Sequence, residues 1–173
     1  MITVICSTNR AENHTKIVAR FYAELLKQKK QKIQYFSLED LPVDFAFNND
    51  IFGKKNKKFS EIVEKFIVPA DKIVFVSPEY NGSIPGVLKT FIDGMDPDIF
   101  EGKKAALVGV ASGRSGNVRG MDHLTNILNY LEVQVLPFKV PVSGILKLIV
   151  HGKIIDGATQ KTLEKQVEKF IKF

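Results

Sequence analysis

The sequence predicts an α/β fold in which a five-stranded parallel sheet is covered by helices on both faces. Short, almost continuously apolar segments alternate along the chain with longer segments that have helical periodicity. Strands that are apolar at nearly every position are typical of a parallel sheet buried on both sides. The regular alternation of the two element types indicates consecutive βα units, which place their strands parallel to one another.

The predicted strands are short and apolar. In chain order they are residues 2–6, 32–37, 72–76, 104–111 and 133–136. The strand at residues 72–76 is apolar after its first residue, and a polar loop containing glycine follows it. Such a change of composition marks the point at which the chain leaves the sheet.

The predicted helices are longer, with apolar residues recurring every three or four positions. They are residues 15–29, 56–66, 88–94, 118–131 and 159–173. For the short third helix, Ser83 is predicted as the N-cap and Pro85 as a first-turn residue, because a proline there loses no hydrogen bond. Gly94 is expected to end this helix. Residues 41–53 are predicted to be irregular, and residues 150–157 to form a short turn before the last helix.

Five parallel strands connected in this order fit a flavodoxin-like, doubly wound sheet of strand order 2-1-3-4-5. A Rossmann domain would need a Gly-x-Gly-x-x-Gly motif after the first strand, and the sequence has none there. No internal repeat, linker or low-complexity segment divides the chain. We therefore expect residues 1–173 to form a single domain.

Composition and charge argue against several classes of function. Much of the net charge of +6 comes from lysine-rich runs at residues 27–32 and 54–58, which are typical of solvated helix ends and do not predict nucleic-acid binding. No apolar run is long enough to span a membrane, and the first residues do not form a signal sequence. A lone cysteine, Cys6, cannot form an intramolecular disulfide, so we expect a cytoplasmic protein. No cysteine or histidine motif predicts a metal site.

Three polar loops are expected to meet in one crevice. They follow the first, third and fourth strands, at residues 7–15, 77–87 and 111–120. These strands are neighbours in the order 2-1-3-4-5, and open α/β sheets bind their ligands at the carboxyl ends of the strands. No chemical role is predicted for Cys6, His123 or His151, which we interpret as structural.

The first loop has the chemistry of an anion site. Backbone N–H groups at a helix N-terminus attract anions, and Ser7, Thr8 and Thr15 can add hydroxyl donors. Arg10 can form a charge-assisted pair with a phosphate. Ordinary N-capping of the following helix explains the same composition equally well.

The second loop carries the most specific pattern. Asn81 and Gly82 predict a tight turn with positive φ angles, and Tyr80 offers an aromatic face beside it. The segment at residues 78–89, Pro-Glu-Tyr-Asn-Gly-Ser-Ile-Pro-Gly-Val-Leu-Lys, resembles the signature loop of the NADPH-dependent FMN reductase family, which groups flavodoxin-like quinone, azo-dye and flavin reductases. The resemblance implies that FMN is the cofactor and that its ring is held by Tyr80, Asn81, Gly82 and Ser83. It also places Pro78 and Glu79 among the cofactor-binding residues.

The resemblance extends to the other two loops. It implies that the FMN phosphate is bound by Ser7, Thr8, Arg10, Asn13 and Thr15. Two positions depart from the family pattern, because Cys6 stands where a glycine is frequent and His14 where an asparagine is frequent. In the third loop, the resemblance places Ser112, Gly113 and Arg114 at the pyrimidine side of the flavin ring.

The resemblance implies an FMN-dependent NAD(P)H oxidoreductase that passes hydride from NADPH or NADH, through bound FMN, to a quinone, an azo compound or free flavin. No side chain is then needed as an acid, base or nucleophile, since the cofactor carries the electrons. A homodimer or homotetramer is expected by the same analogy, with Asp93 near the contact. The alternatives are a flavodoxin-type electron carrier and a flavin-binding redox sensor. The basic charge and the reductase-type loop argue against a carrier.

Overall fold

A computed structural model describes residues 1–50 and 52–173 of the chain. Its strands are β1 (Ile2–Cys6), β2 (Ile33–Ser37), β3 (Lys72–Pro78), β4 (Lys104–Val110), β5 (Gln134–Val135), β6 (Val140–Val142), β7 (Ile149–Val150) and β8 (Lys153–Ile154). Its α-helices are α1 (Thr15–Gln28), α2 (Lys57–Phe66), α3 (Gly86–Asp93), α4 (Val118–Tyr130) and α5 (Gly157–Lys172). The predicted alternation of strands and helices is confirmed.

The central sheet is parallel and has the order β2-β1-β3-β4-β5, as predicted. Ile2 of β1 pairs with Lys72 of β3, which in turn pairs with Lys104 of β4. The three strands therefore start level with one another. Because the three strands are also parallel, the loops that follow them emerge at the same edge of the sheet. There, β3 and β4 extend past the last residue of β1.

The fifth position of the sheet differs from the prediction. In place of one strand at residues 133–136, β5 pairs with Lys104 and Ala105, and β6 pairs with residues 108–110 further along β4. Residues 136–139 separate the two pieces, whereas only residues 106 and 107 of β4 lie opposite them. Pro137 lies in this longer stretch, and a proline has no N–H group with which to continue a ladder.

The core consists of two layers, one on each face of the sheet. Helices α2, α3 and α4 cover one face, where Phe59, Phe75 and Phe91 are fully buried. Helices α1 and α5 cover the other, where Tyr22 and Phe170 are fully buried. Both faces of the strands are thus shielded from water, which explains why the strands are apolar at nearly every position.

The start of α3 corrects one prediction. Pro85, not Ser83, occupies the N-cap position, and it makes no side-chain capping bond. Ser83 instead pairs through its backbone with Tyr80, so the chain turns back on itself before the helix begins. Gly94 follows the last residue of α3, as expected.

The segment before the last helix is the antiparallel hairpin β7–β8. Its two turn residues, His151 and Gly152, have φ angles of 47° and 73°. The predicted turn is therefore present, and His151 has a structural place within it. Within residues 1–50 and 52–173, no helix combines the length and apolar character needed to cross a bilayer.

Candidate functional site

The carboxyl ends of β1, β3 and β4 open into one cleft. We refer to the segments that follow these strands as loop 1 (residues 7–14), loop 2 (residues 79–85) and loop 3 (residues 111–117). The cleft has a volume of about 190 Å³. It is lined by Arg10, Glu12, Asn13, His14, Thr15, Pro78, Glu79, Tyr80, Val110, Ala111, Ser112, Ile145 and Leu146.

The residues proposed from sequence to bind FMN are distributed over this cleft and its border. Seven of them line it, namely Arg10, Asn13, Thr15, Pro78, Glu79, Tyr80 and Ser112. Ser7 and Thr8 are buried at the end of β1. The other five, Asn81, Gly82, Ser83, Gly113 and Arg114, belong to loops 2 and 3 but do not line the cleft itself.

Loop 1 is shaped by its own side chains. The Asn13 amide donates to the carbonyl of Arg10 at 2.7 Å and accepts from the N–H of Lys16 at 2.8 Å. His14, at the N-cap of α1, makes no side-chain capping bond. The capping interpretation therefore holds for Asn13, whose amide is used to fix the loop and the first turn of the helix.

The first turn of α1 nevertheless leaves donors available. In the described part of the chain, the backbone N–H groups of Asn13, His14 and Thr15 have no hydrogen-bond partner. Such groups carry the positive end of the helix dipole and form a natural site for an anion. Loop 1 thus combines a self-capped helix start with free donors on residues that line the cleft.

Arg10 and Tyr80 connect loop 1 to loop 2. The Tyr80 hydroxyl lies 2.7 Å from Oγ1 of Thr8, and the same Oγ1 accepts from the N–H of Arg10 at 3.2 Å. The Arg10 guanidinium lies 4.2 Å from the centroid of the Tyr80 ring. A cation over an aromatic face is attracted by the electrons of the ring, so the charge of Arg10 is held between the two loops.

Loop 2 is a tight two-residue turn. Tyr80 and Ser83 exchange two backbone hydrogen bonds of 3.0 and 3.1 Å. Asn81 and Gly82, between them, have φ angles of 53° and 76°, as the sequence predicts. Turns with both central residues in the left-handed region favour Asn-Gly for this reason. Among the described residues, the N–H groups of Asn81 and Gly82 have no backbone partner.

Loop 3 is joined to both of its neighbours. Ser115 Oγ donates to the Glu79 carboxylate at 2.6 Å, which links loop 3 to loop 2. On the other side, the N–H of Gly144 donates to the carbonyl of Gly113 at 2.9 Å. A side chain added at Gly113 would meet nothing within 4 Å, so this part of the loop faces open space.

Asn117 is an important residue that the sequence analysis did not assign to the site. It is fully buried, has a φ angle of 65°, and precedes α4. Its amide donates to the carbonyls of Ser77 and Pro78, both at 3.0 Å. Asn117 therefore fixes the end of β3 against the start of α4. An asparagine after Gly116 at a helix start was the available signal, since asparagine tolerates this backbone conformation.

His123 of α4 also has a partner that the sequence did not reveal. Its Nδ1 lies 2.8 Å from Oγ of Ser83 in loop 2. The two residues are far apart in the chain, and only the packing of α4 beside loop 2 brings them together.

Two titratable groups lie beneath loop 1. Cys6 is fully buried in the core, and this burial raises the pKa of its thiol to about 11. Burial also disfavours the charge of Glu39, but hydrogen bonds from Lys16 and Ser37 outweigh this effect and lower the pKa of its carboxyl. The Lys16–Glu39 ion pair, 2.5 Å long, ties the first turn of α1 to the segment after β2.

Comparison with known proteins gives this arrangement a family. The sequence pattern of the NADPH-dependent FMN reductase family matches residues 1–145. The NAD(P)H-dependent FMN reductase of Pseudomonas aeruginosa is 33% identical over 130 residues, covering 70% of this chain and 69% of the relative. A quinone reductase of Pseudomonas putida is 26% identical over 174 residues, covering 98% of this chain and 91% of the relative.

The fold is also found among solved structures. The flavoenzyme NAD(P)H:(acceptor) oxidoreductase of Paracoccus denitrificans superposes with a TM-score of 0.79 at 22% identity, covering 99% of this chain and 94% of that one. At this identity the likeness concerns the fold alone. The assignment to a family rests on the sequence match, which extends from β1 through all three loops of the cleft. The chain belongs to the NADPH-dependent FMN reductase family.

Proposed function

We propose that this protein is an FMN-dependent NAD(P)H oxidoreductase that reduces a small-molecule acceptor, such as a quinone, an azo compound or free flavin. The observation that carries the proposal is the meeting of loops 1 and 2 at the Arg10–Tyr80 contact. There, a site suited to a phosphate lies beside a turn suited to the edge of a planar ring.

The donors of loop 1 fit the phosphate end of FMN. Free backbone N–H groups at the start of α1 and the guanidinium of Arg10 both supply positive potential. Ser7 and Thr8 are buried, and the Thr8 hydroxyl is already shared between Tyr80 and Arg10. We therefore assign Thr8 to holding the two loops together. Thr15 is also buried, but it lines the cleft together with Arg10, and we assign these two residues to direct contact with the phosphate.

Loops 2 and 3 fit the ring of FMN. The N–H groups of Asn81 and Gly82 have no backbone partner and can donate to the heteroatoms of a ring edge. Gly113 faces open space, and Ser112 lines the cleft, so a flat group can approach this part of loop 3 closely. Pro78, Glu79 and Arg114 complete the border, with Glu79 held by Ser115.

When bound, FMN supplies the redox chemistry by accepting hydride from NADPH or NADH and then passing two electrons to the acceptor. The protein's own residues bind and orient. The paired backbone of Tyr80 and Ser83 fixes the two N–H groups of the turn, and the Glu79–Ser115 bond keeps loops 2 and 3 at a constant separation. Pre-positioned donors of this kind need no rearrangement during the reaction.

Absorbance spectroscopy tests the proposal. The protein is mixed with stoichiometric FMN without oxygen, and the visible spectrum is recorded before and after NADPH or NADH is added. We expect a perturbed flavin band that bleaches within seconds. A flavin that binds but stays oxidised would indicate the electron carrier or the redox sensor. A spectrum identical to that of free FMN would contradict the proposal.

We further propose that the protein acts as a homodimer of single-domain chains. A mostly apolar groove of about 560 Å³ lies between α3 and α4, beside the 87%-exposed side chain of Tyr130. Asp93 and Lys89 form a 2.6 Å ion pair at its border. A second copy of this chain is the occupant that we propose. Light scattering of the purified protein should give twice the mass of one chain. The mass of Tyr130→Glu should be closer to that of the monomer. A mass four times that of one chain would indicate the tetramer.

We also propose that the protein works in the cytoplasm. Reduced nicotinamide cofactors are produced in that compartment, and a lone thiol such as Cys6 stays reduced there. Fractionation of cells that express the protein, with immunodetection in each fraction, tests this assignment. Recovery from the oxidising side of the cell envelope would contradict it.

A further inference from the structure

The hydrogen bond between Ser83 and His123 lies outside the cleft and has no part in the function proposed above. Ser83 Oγ and His123 Nδ1 are 2.8 Å apart. The bond connects loop 2, whose backbone we assign to the flavin ring, with α4, a helix on the neighbouring side of loop 3.

Loop 2 is attached by the side chains of its two paired residues. Tyr80, at the start of the turn, reaches Thr8 of loop 1 at 2.7 Å. Ser83, at the end of the turn, reaches His123 of α4. Asn81 and Gly82 lie between these two attachment points, and no side-chain hydrogen bond in the described part of the chain involves Asn81.

Helix α4 is a firm anchor for such an attachment. Met121, Leu124 and Leu128 are buried in the core, and Asn117 binds the end of β3 through two hydrogen bonds. Arg119, one helical turn before His123, also approaches loop 2, with its Nη1 3.9 Å from the position of a side chain at Gly82. His123 therefore connects loop 2 to a helix that is itself held in place by the core and by the end of β3.

We infer that His123 is a positioning residue that acts through Ser83 to hold the flavin-binding turn of loop 2 in place. The role in catalysis rests on the proposed function, since the N–H groups so positioned are those of Asn81 and Gly82. The hydrogen bond between Ser83 and His123, which we call the tether, does not itself depend on FMN. Displacement of a bound reactant by about 1 Å can lower the reaction rate up to ~100-fold. Loss of one hydrogen bond that positions the turn can therefore lower the rate measurably.

The geometry of the bond defines matched variants. In histidine, Nδ1 is attached directly to Cγ, and the amide atoms of asparagine occupy the same place. His123→Asn therefore keeps a hydrogen-bonding atom at the position of Nδ1. His123→Gln carries its amide one bond further out, nearer the position of Nε2, and His123→Ala has none. Asn129→Ala, at an exposed position further along α4, controls for a general effect on the helix.

Hydrogen–deuterium exchange of the FMN-free protein tests the tether directly. For a peptide covering residues 79–84, we expect about fivefold faster exchange in Ser83→Ala, His123→Ala and His123→Gln, the factor for one lost hydrogen bond. His123→Asn and Asn129→Ala should exchange like the parent protein. The double variant Ser83→Ala/His123→Ala should be no faster than either single variant, because both remove the same bond.

Stopped-flow reduction of FMN-loaded protein by NADPH tests the consequence. The reduction rate should fall about tenfold in His123→Ala and recover in His123→Asn. Unchanged exchange in Ser83→Ala and His123→Ala, or a His123→Asn variant as defective as His123→Ala, would overturn the inference. Faster exchange in a protein that binds no FMN would support the tether and overturn the proposed function instead.

Discussion

The hydroxyl groups of Thr8 and Tyr80 lie 2.7 Å apart and connect two loops that are 72 residues apart in the sequence. Thr8 is fully buried, so this bond anchors the Tyr80 ring to the interior end of β1. The same ring supports the guanidinium of Arg10. The position of the charge in loop 1 thus depends on a side chain of loop 2.

Removal of the Tyr80 hydroxyl tests this dependence. Tyr80→Phe keeps the ring beneath Arg10 but loses the bond to Thr8, so we expect FMN affinity to fall about fivefold, in keeping with one hydrogen bond. Fluorescence titration of FMN measures the effect. Tyr22→Phe, which removes a buried hydroxyl that has no hydrogen-bond partner among the described residues, is the matched control and should bind FMN normally. Equal affinities for Tyr80→Phe and the parent protein would show that the hydroxyl bond is dispensable.

Substitution of Arg10 tests the phosphate assignment. Because a guanidinium contributes a charge-assisted hydrogen bond, Arg10→Ala should weaken FMN binding by about tenfold or more. Riboflavin, which lacks the phosphate, should bind both proteins alike. Arg10→Lys keeps the charge without the planar fork and should lie between them. An equal loss for riboflavin would move Arg10 from the phosphate to the ring, through its contact with Tyr80.

Two glycines near loop 3 should behave in opposite ways. A side chain at Gly109 of β4 would lie 2.1 Å from the carbonyl oxygen of Gly116, a backbone atom that cannot rotate away. We expect Gly109→Ala to destabilise the protein by about 3 kcal/mol or more in urea unfolding. At Gly113 there is open space and no positive φ, so Gly113→Ala should be neutral or stabilising by about 0.5 kcal/mol.

Gly113→Ala also examines the site. If the flavin ring lies against loop 3, the added methyl group should weaken FMN binding in a protein of unchanged stability. Undiminished FMN affinity would exclude close packing of the ring at this position.

The buried thiol of Cys6 predicts a loss of stability at alkaline pH. Its pKa is about 11 in the folded protein and 9.0 as the reference value, so the unfolded chain loses the proton first. The stability that the protonated, buried thiol contributes is fully present below pH 9 and is lost as the pH rises from 9 to 11. Cys6→Ala should flatten this part of the stability curve. Burial also raises the pKa of the Tyr22 and Tyr35 hydroxyls. The loss of stability that these two residues cause above about pH 10 should therefore remain in Cys6→Ala.

Much of the fold follows from local patterns in the sequence. Apolar strands such as residues 72–76 and the periodicity of α1 predict a doubly wound sheet, and the strand order then places loops 1, 2 and 3 together. The turn at Asn81 and Gly82 was predictable for the same reason, because the two residue types themselves favour positive φ angles.

The failures concern features that depend on three-dimensional packing. Ser83 has the composition of an N-cap, but its backbone pairs with Tyr80, and the N-cap position falls two residues later, at Pro85. Asn117 and His123 bind partners about 40 residues away, and no spacing rule within the sequence identifies such pairs. The fifth strand was predicted as one piece at residues 133–136, and its second piece, β6, was missed because it is only three residues long and contains a proline.

The division of the fifth strand also determines how copies of the protein can meet. Beyond β4 the sheet ends in pieces of two and three residues, and Pro137 and Pro141 remove two N–H groups from that border. An incoming strand would find few donors there, since proline and short segments are the means by which natural sheets avoid edge-to-edge aggregation. Fibrous growth through strand addition is thereby disfavoured at this edge of the sheet.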